Sequence, residues 1–411
     1  NRSDHFYHLK KRVSDEPAPG PADALTASKQ KRVVVVAANG GGIQAGAWAA
    51  KVLYGLREDC GEPFERSLRM ISSVSGGSVG NASFVNWLAS DRAGRRPDEA
   101  AAESSLDEVA WGLAYPDFLR ALIPWLFGAF IRIGRGRALE EAWLLNSGGA
   151  GMDEPLSSWN EKARRGALPA VVLNATITET GERLLLATTR INQHAGERAA
   201  RVDAADLHTI NGERLDVAVV TAARLSASFP YVTPAARADR DGPFPHVVDG
   251  GYYDNYGMAT TVDWLDDALD QAGGEVESVL VIQIHGAPVN ADPQYKRRKS
   301  NRGWFYQAFA PLQTILEVRD AGQIAHNDIE LELLQEKWWS RAGLPIHSVT
   351  FEFCKPSVPL SWHLTPNEVR EIELVWREDM TTCRGLVGEF LSGEDGLNCG
   401  CVACASAAGR S

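Results

Sequence analysis

Three short segments of the 411-residue chain combine reactive side chains with glycine. The first is Ser73-Val74-Ser75-Gly76-Gly77, which follows the short strand-like run Leu68 to Val74 and precedes helical spacing from Ser78 to Leu88. A serine at a sharp strand-to-helix turn is held out of the sheet, among neighbours small enough for a substrate to approach. The N-terminus of the following helix favours negative charge developing beside it. The chemistry implied is nucleophilic attack by the Ser75 hydroxyl. The second segment is Asn39-Gly40-Gly41-Gly42, directly after Val33-Val34-Val35-Val36-Ala37-Ala38. Three glycines leave backbone N–H groups unshielded, and such a loop can hold an oxyanion. Gly40-x-Gly42-x-x-Ala45 also matches the dinucleotide fingerprint in form. That reading expects an acidic residue at the end of the next strand, where Val74-Ser75 stands instead. The third segment is Asp249-Gly250-Gly251-Tyr252-Tyr253-Asp254-Asn255-Tyr256-Gly257. An aspartate leaving a strand with two glycines behind it has little steric cover and can act as general base for a nearby hydroxyl. Asp254 and Asn255 read as turn and helix-capping residues. Taken singly, each segment also fits an ordinary tight turn.

These residues need a scaffold that brings distant turns together. Val33 to Ala38 fits a buried parallel strand, and Ile43 to Leu56 has helical spacing. With Leu68–Val74 and the helix after it, this makes two consecutive strand-loop-helix units. They predict an α/β fold with a mostly parallel central sheet flanked by helices. Ala170 to Thr176 and Arg183 to Ala187 read as a hairpin. Leu215 to Ser226 reads as a helix ended by Phe229-Pro230. Val279 to Ile284 and Ser348 to Phe353 read as strands, and Thr260–Ala272, Leu312–Trp338 and Pro366–Phe390 as helices. Residues 1–31 lack apolar periodicity and read as a flexible tail or linker. Residues 32–391 read as one domain and 392–411 as a flexible C-terminal tail.

Composition narrows the function classes. Lys+Arg 42 against Asp+Glu 53 gives a net charge of −11, which disfavours nucleic acid as the main partner. At 44% hydrophobic and 23% charged residues the chain is neither disordered nor collagenous. Six cysteines are too few to hold the fold by disulfides, and no apolar run is long enough to span a bilayer.

Together and in this order, Gly40-Gly41-Gly42, Ser73-Val74-Ser75-Gly76-Gly77 and Asp249-Gly250-Gly251 resemble the motifs of the patatin-like lipid acyl hydrolases, including their cytosolic phospholipase A branch. Ala223-Arg224-Leu225-Ser226-Ala227-Ser228-Phe229-Pro230 is similar to that family's Ser/Ala-rich helix end. The resemblance implies a patatin-like serine hydrolase that cleaves fatty acyl esters through a Ser75–Asp249 dyad. Gly40, Gly41, Gly42 and Gly76 would supply the oxyanion hole. It implies no metal and no organic cofactor. It also implies a lipid substrate, a membrane surface as partner, and a cytoplasmic or peripheral-membrane location or a place within a larger membrane protein. Oligomeric state is left open. Two positions depart from the family pattern. Ser73 replaces the first elbow glycine, and Gln44 stands where the family carries Arg or Lys. Gln44 is thus the candidate substrate-binding residue, without the charge-assisted hydrogen bond a guanidinium gives phosphate. Arg224, Arg132, Arg135 and Arg137 are the cations that could replace it.

Two other readings stay open. The order Ser75, Asp249, His285 is that of a Ser-Asp-His triad, though a triad leaves the double glycine after Asp249 unaccounted for. A lipid-binding scaffold without turnover would carry the same motifs. Phe118 to Ile133, apolar and followed by arginines, suits an interfacial helix or lid or a buried helix. Cys399, Cys401 and Cys404 lack the fourth ligand and paired spacing of a zinc site. Cys60, Cys354 and Cys383 read as core or incidental residues.

Overall fold

The computed structural model describes residues 5–122, 134–148, 151–191, 204–288, 304–355 and 363–393, except 208–209, 211, 213, 230–232 and 273. The strands are β1 (His5–Tyr7), β2 (Leu9–Lys11), β3 (Arg32–Ala38), β4 (Leu68–Val74), β5 (Ala170–Ile177), β6 (Arg183–Ala187), β7 (Ala204–Asp206), β8 (Leu215–Val217), β9 (Ala236–Ala238), β10 (Val247–Asp249), β11 (Ser278–His285) and β12 (Ile346–Glu352). The main sheet runs β1-β9-β10-β5-β4-β3-β11-β12, with β6 on β5 and β7 on β6. Its centre, β5-β4-β3-β11-β12, is parallel throughout. The strand-loop-helix units require this, because each helix returns the chain to the same end of the sheet. β10 joins antiparallel to β5, with Asp249 opposite Ala175. That pairing brings the third motif to the ends of β4 and β5.

The first helices are α1 (Pro21–Thr26), α2 (Gly42–Ser67), α3 (Ser75–Ala89), α4 (Pro97–Ala102), α5 (Leu106–Gly112) and α6 (Phe118–Leu122). Later ones are named by their residues. Val34, Val36, Ile71 and Leu173 face one core layer with Trp48, Leu53 and Phe84, and Val33, Val35 and Val281 face the other with Trp264 and Leu265. The β-branched runs are therefore buried on both faces, as in parallel sheets covered by helices.

Residues 5–26 are not a tail. β1 pairs with β9, and β2 with β8. Tyr7 and Leu25 are fully buried, so this segment is part of the core. Leu215–Ser226 divides into β8 and a helix over Val219–Ser226, and Pro366–Phe390 divides at a π turn over Val375–Asp379. Cys354 and Cys383 are disulfide-bonded, not incidental, whereas Cys60 is a free thiol. The cluster Cys399, Cys401 and Cys404 lies outside the described residues, as does 123–133 of the expected lid.

Candidate active site

β4 ends at Val74 in extended conformation, and α3 begins at once with Ser75 at φ +51°. This left-handed conformation is uncommon for a residue with a Cβ and marks a position held by its surroundings. What holds it is polar. The Ser75 N–H donates to Ser226 Oγ at 3.2 Å. Ser226 Oγ lies 2.8 Å from Ser78 Oγ and donates to the Asn174 carbonyl at 2.5 Å. Asn174 in turn donates through Nδ2 to Ser72 Oγ and to the Ser73 carbonyl, both at 2.9 Å. One buried network thus joins β4, β5 and the helix Val219–Ser226 around the turn. Buried polar groups so satisfied fix one geometry.

The Ser75 hydroxyl donates to Asp249 Oδ2 at 2.7 Å, and both residues are buried. Asp249 Oδ1 accepts from the Gly251 N–H at 2.8 Å, which orients the carboxylate. The reason for Gly250 differs from the expected openness. A Cβ there would lie 2.1 Å from the Asn174 carbonyl oxygen. The glycine lets β10 close onto β5, so it serves packing rather than access.

The glycine loop meets the elbow backbone to backbone. A Cβ on Gly76 would sit 1.9 Å from the Gly42 carbonyl oxygen, and one on Gly80 would sit 2.2 Å from that of Gly46. α2 and α3 therefore cross at glycine pairs spaced by four, where only glycine permits the approach. Not every N–H of the loop is open. Gly40 donates to the Asn255 carbonyl at 2.8 Å, so its N–H is already engaged. Gly41, Gly42 and Gly76 remain from the expected set.

Other expectations change. Gln44 is buried and donates through Nε2 to the Gly286 carbonyl at 2.6 Å. It ties α2 to the end of β11 and is not placed to meet a head group. Arg224 is buried in an ion pair with Glu140, Nε to Oε1 2.7 Å. Arg137 reaches the same carboxylate at 3.1 Å, and Arg135 lies 3.5 Å from Asp117. A buried pair of this kind is costly to break, so Arg224 is no cation for phosphate. Arg132 lies outside the described residues.

His285 stands at the end of β11, edge-on to Tyr256 with ring centroids 5.3 Å apart. Its Nδ1 has no hydrogen-bond partner among the described residues, and burial pushes its imidazole down to about 4. The single hydroxyl proton of Ser75 is directed at Asp249, which leaves none for an imidazole. Between the ordinary imidazole pKa and about 4, the unfolded chain binds a proton that folded His285 does not. Stability is therefore full above the ordinary value and falls as pH drops through this window, by about 3 kcal/mol from this group. Urea unfolding at about pH 7.5 and about pH 4.5 should show the loss, and His285→Asn should remove this component.

Asp254 caps the helix Met258–Ala272. Its Oδ1 accepts from Tyr256 N at 2.8 Å and its Oδ2 from Ala259 N at 3.1 Å. Burial pushes its carboxyl up. Ser226, Asn174 and Asn255 were not expected as site residues. Asn174 had one sequence signal, an amide inside the otherwise apolar strand β5.

Against known proteins, the model for the patatin-like phospholipases matches residues 37–262. No curated protein compared with the chain matches it. Among solved structures, VipD from Legionella pneumophila aligns at 10% identity and TM-score 0.29 over 72% of this chain and 56% of that one. Human GIVD cytosolic phospholipase A2 aligns at 15% identity and TM-score 0.29 over 64% and 48%. The chain thus spans about half the length of these two proteins. The family match takes in the glycine loop, the Ser75 turn and Asp249, and it covers more than half of the sequence: the chain belongs to the patatin-like phospholipase family.

Proposed function

We propose that this protein is a lipid acyl hydrolase in which Ser75 and Asp249 form a catalytic dyad. The observation that carries the reading is the 2.7 Å hydrogen bond from Ser75 Oγ to Asp249 Oδ2, at a serine held in a left-handed turn. In the reaction Asp249 accepts the hydroxyl proton as Ser75 Oγ attacks the ester carbonyl carbon. The N–H groups of Gly41, Gly42 and Gly76 stabilise the oxyanion. The proton passes to the departing alcohol as the acyl-enzyme forms. Asp249 then takes a proton from water, whose oxygen attacks the acyl carbon; the bond from that carbon to Ser75 Oγ breaks, Ser75 Oγ recovers the proton from Asp249, and the fatty acid is released.

A membrane surface is the proposed setting. Trp111, Tyr115, Phe118 and Leu122 follow each other at helical spacing across α5, the π turn Leu113–Asp117 and α6. All four are more than half exposed, and the Trp111 and Tyr115 rings lie 5.9 Å apart on one side. Exposed aromatic and aliphatic side chains in such a stripe suit a lipid–water interface. The expected lid at Phe118–Ile133 included only the end of this stripe. Among the described residues no helix is long and apolar enough to cross a membrane.

A fluorophosphonate reacts with an activated serine and not with an inert one. Labelling at Ser75, together with fatty acid release from a panel of neutral glyceride, lysophospholipid and diacylphospholipid, tests the reading. No labelling of the folded protein would favour the non-catalytic scaffold. Trp111→Glu with Phe118→Glu should reduce binding to phosphatidylcholine vesicles by about tenfold or more, while leaving hydrolysis of a soluble short-chain ester unchanged. Unchanged vesicle binding, measured by co-sedimentation, would remove the interfacial role.

A further inference from the structure

Asn255 stands where the three motifs meet, and its backbone is held at both ends. Its N–H donates to Gln323 Oε1 at 3.0 Å, and its carbonyl accepts from the Gly40 N–H at 2.8 Å. Gln323 Nε2 also donates to the Tyr253 carbonyl at 2.5 Å, and Asn327 Nδ2 lies 3.5 Å from Asp254 Oδ1. The helix Trp304–Ala342 thus grips three consecutive residues of the turn after Asp249. The side-chain amide of Asn255, by contrast, hydrogen-bonds to no described residue and is half-buried, within reach of water. Two glycines mark where its oxygen lies. A Cβ on Gly40 would sit 2.3 Å from Asn255 Oδ1 and 3.0 Å from Ser75 Cβ. One on Gly251 would sit 2.8 Å from Asn255 Oδ1 and 3.0 Å from Asp249 Oδ1. The amide oxygen therefore rests against both loops, within about two hydrogen-bond lengths of the Ser75 side chain and of the Asp249 carboxylate. One water molecule spans such a gap.

We infer that Asn255 Oδ1 holds the water that hydrolyses the acyl-enzyme, and so acts in deacylation and not in acylation. The inference rests on the acyl-hydrolase reading and adds a catalytic residue to it. The placing of hydrogens carries it. A water attacking the acyl carbon must aim a lone pair at that carbon, which leaves two hydrogens to be accepted elsewhere. Asp249 Oδ2, which takes the Ser75 proton in the first step, accepts one of them. The second needs another acceptor, and Asn255 Oδ1 offers one with no bond inside the protein to give up. The bonds from Gln323 and to Gly40 keep that acceptor in register with the dyad. A water so held needs no reorientation at the moment of attack. As its oxygen bonds to the acyl carbon, one hydrogen passes to Asp249 and the other stays on the new carboxyl group, still donated to Asn255. The bond from the acyl carbon to Oγ then breaks, Oγ recovers the proton from Asp249, and the fatty acid leaves. Acylation makes no such demand. The departing oxygen carries the alcohol's carbon in place of a second hydrogen, so it has nothing to donate to Asn255.

The test is product partitioning by the full chain, with p-nitrophenyl butyrate as substrate and methanol at one fixed concentration as competing acceptor. Methanol gives its single hydroxyl hydrogen to Asp249 and has no second one for Asn255. Removing the acceptor should therefore slow hydrolysis by about ten- to a hundredfold and methanolysis far less. In Asn255→Leu, close in size to the amide, the ratio of methyl butyrate to butyric acid should rise by about tenfold or more. Without methanol, butyryl-enzyme should accumulate in this variant, read as an added acyl mass on Ser75. Asn255→Asp keeps an acceptor oxygen, so its ratio should stay within about twofold of the parent. The ratio does not depend on which step limits the rate, and a general distortion of the site would slow both products alike. Asn255→Ala, which keeps the backbone bonds to Gln323 and Gly40, reports in the same direction where the leucine does not fold. An unchanged ratio with no acyl-enzyme accumulation, in a folded variant lacking the acceptor, would overturn the inference and leave the Ser75–Asp249 reading intact. A parent protein that neither releases butyrate nor labels with a fluorophosphonate would instead overturn that reading.

Discussion

Ser75→Ala should lower ester hydrolysis by about ten-thousand-fold or more, and Asp249→Asn should do nearly the same. The alanine removes the attacking oxygen. The amide keeps the shape of the carboxylate and can still meet Ser75, but it cannot take a proton at neutral pH. The two losses should be far from additive, because Ser75 and Asp249 act on one proton; the double variant should be about as slow as either single one. Both variants should fold, since Asp249 Oδ1 and its bond from Gly251 have an isosteric replacement in the amide oxygen. His285→Gln discriminates between mechanisms. With the Ser75 proton given to Asp249, this variant should keep most of the activity. If it is as slow as Ser75→Ala while giving a native melting curve, a histidine base operates and the dyad is wrong.

The second large effect is expected at a residue with no side chain. Gly76→Ala places a methyl group 1.9 Å from the Gly42 carbonyl oxygen, less than any non-bonded contact allows. Either the glycine loop or the elbow must shift by more than an ångström. A shift of that size at the oxyanion donors should cost about a hundred- to a thousand-fold in kcat. Gly80→Ala is the matched comparison. It makes a like clash, 2.2 Å from the Gly46 carbonyl, but one turn further from Ser75. Both variants should melt earlier than the parent. Gly76→Ala should lose more kcat per degree of melting temperature than Gly80→Ala. Equal loss of activity at equal loss of stability would mean that alignment of the loop is not what Gly76 provides.

The central strands were legible because their signal is local. Val33–Ala38 and Val279–Ile284 are apolar on both faces, which only a covered parallel sheet requires. The turns that meet at Ser75 were legible for the same reason: each motif is complete within nine residues. What escaped reading depends on distant partners. β1 and β2 have three residues each, no periodicity, and pair with β9 and β8 more than 200 positions away. Ser226 looks like any serine at a helix end until the fold brings it to the Ser75 N–H, 151 residues distant in sequence. Gln44 and Arg224 failed in the opposite way. Their types suggested contact with a substrate, but burial gave the first to the Gly286 carbonyl and the second to Glu140. A polar side chain near a motif carries no sign of whether its partner will be a ligand or the chain itself. Double glycines are ambiguous in the same sense, since Gly250 reads as openness and is in fact close packing.

Where α2 and α3 cross at Gly42, Gly46, Gly76 and Gly80, the spacing between Ser75 and the glycine loop is set by main chain against main chain. No rotamer can lengthen or shorten it. Inherited variation at this crossing therefore meets a threshold rather than a slope. At Gly76 and Gly80 a single methyl group would lie 1.9 Å and 2.2 Å from a carbonyl oxygen of α2, so substitution there has no graded intermediates.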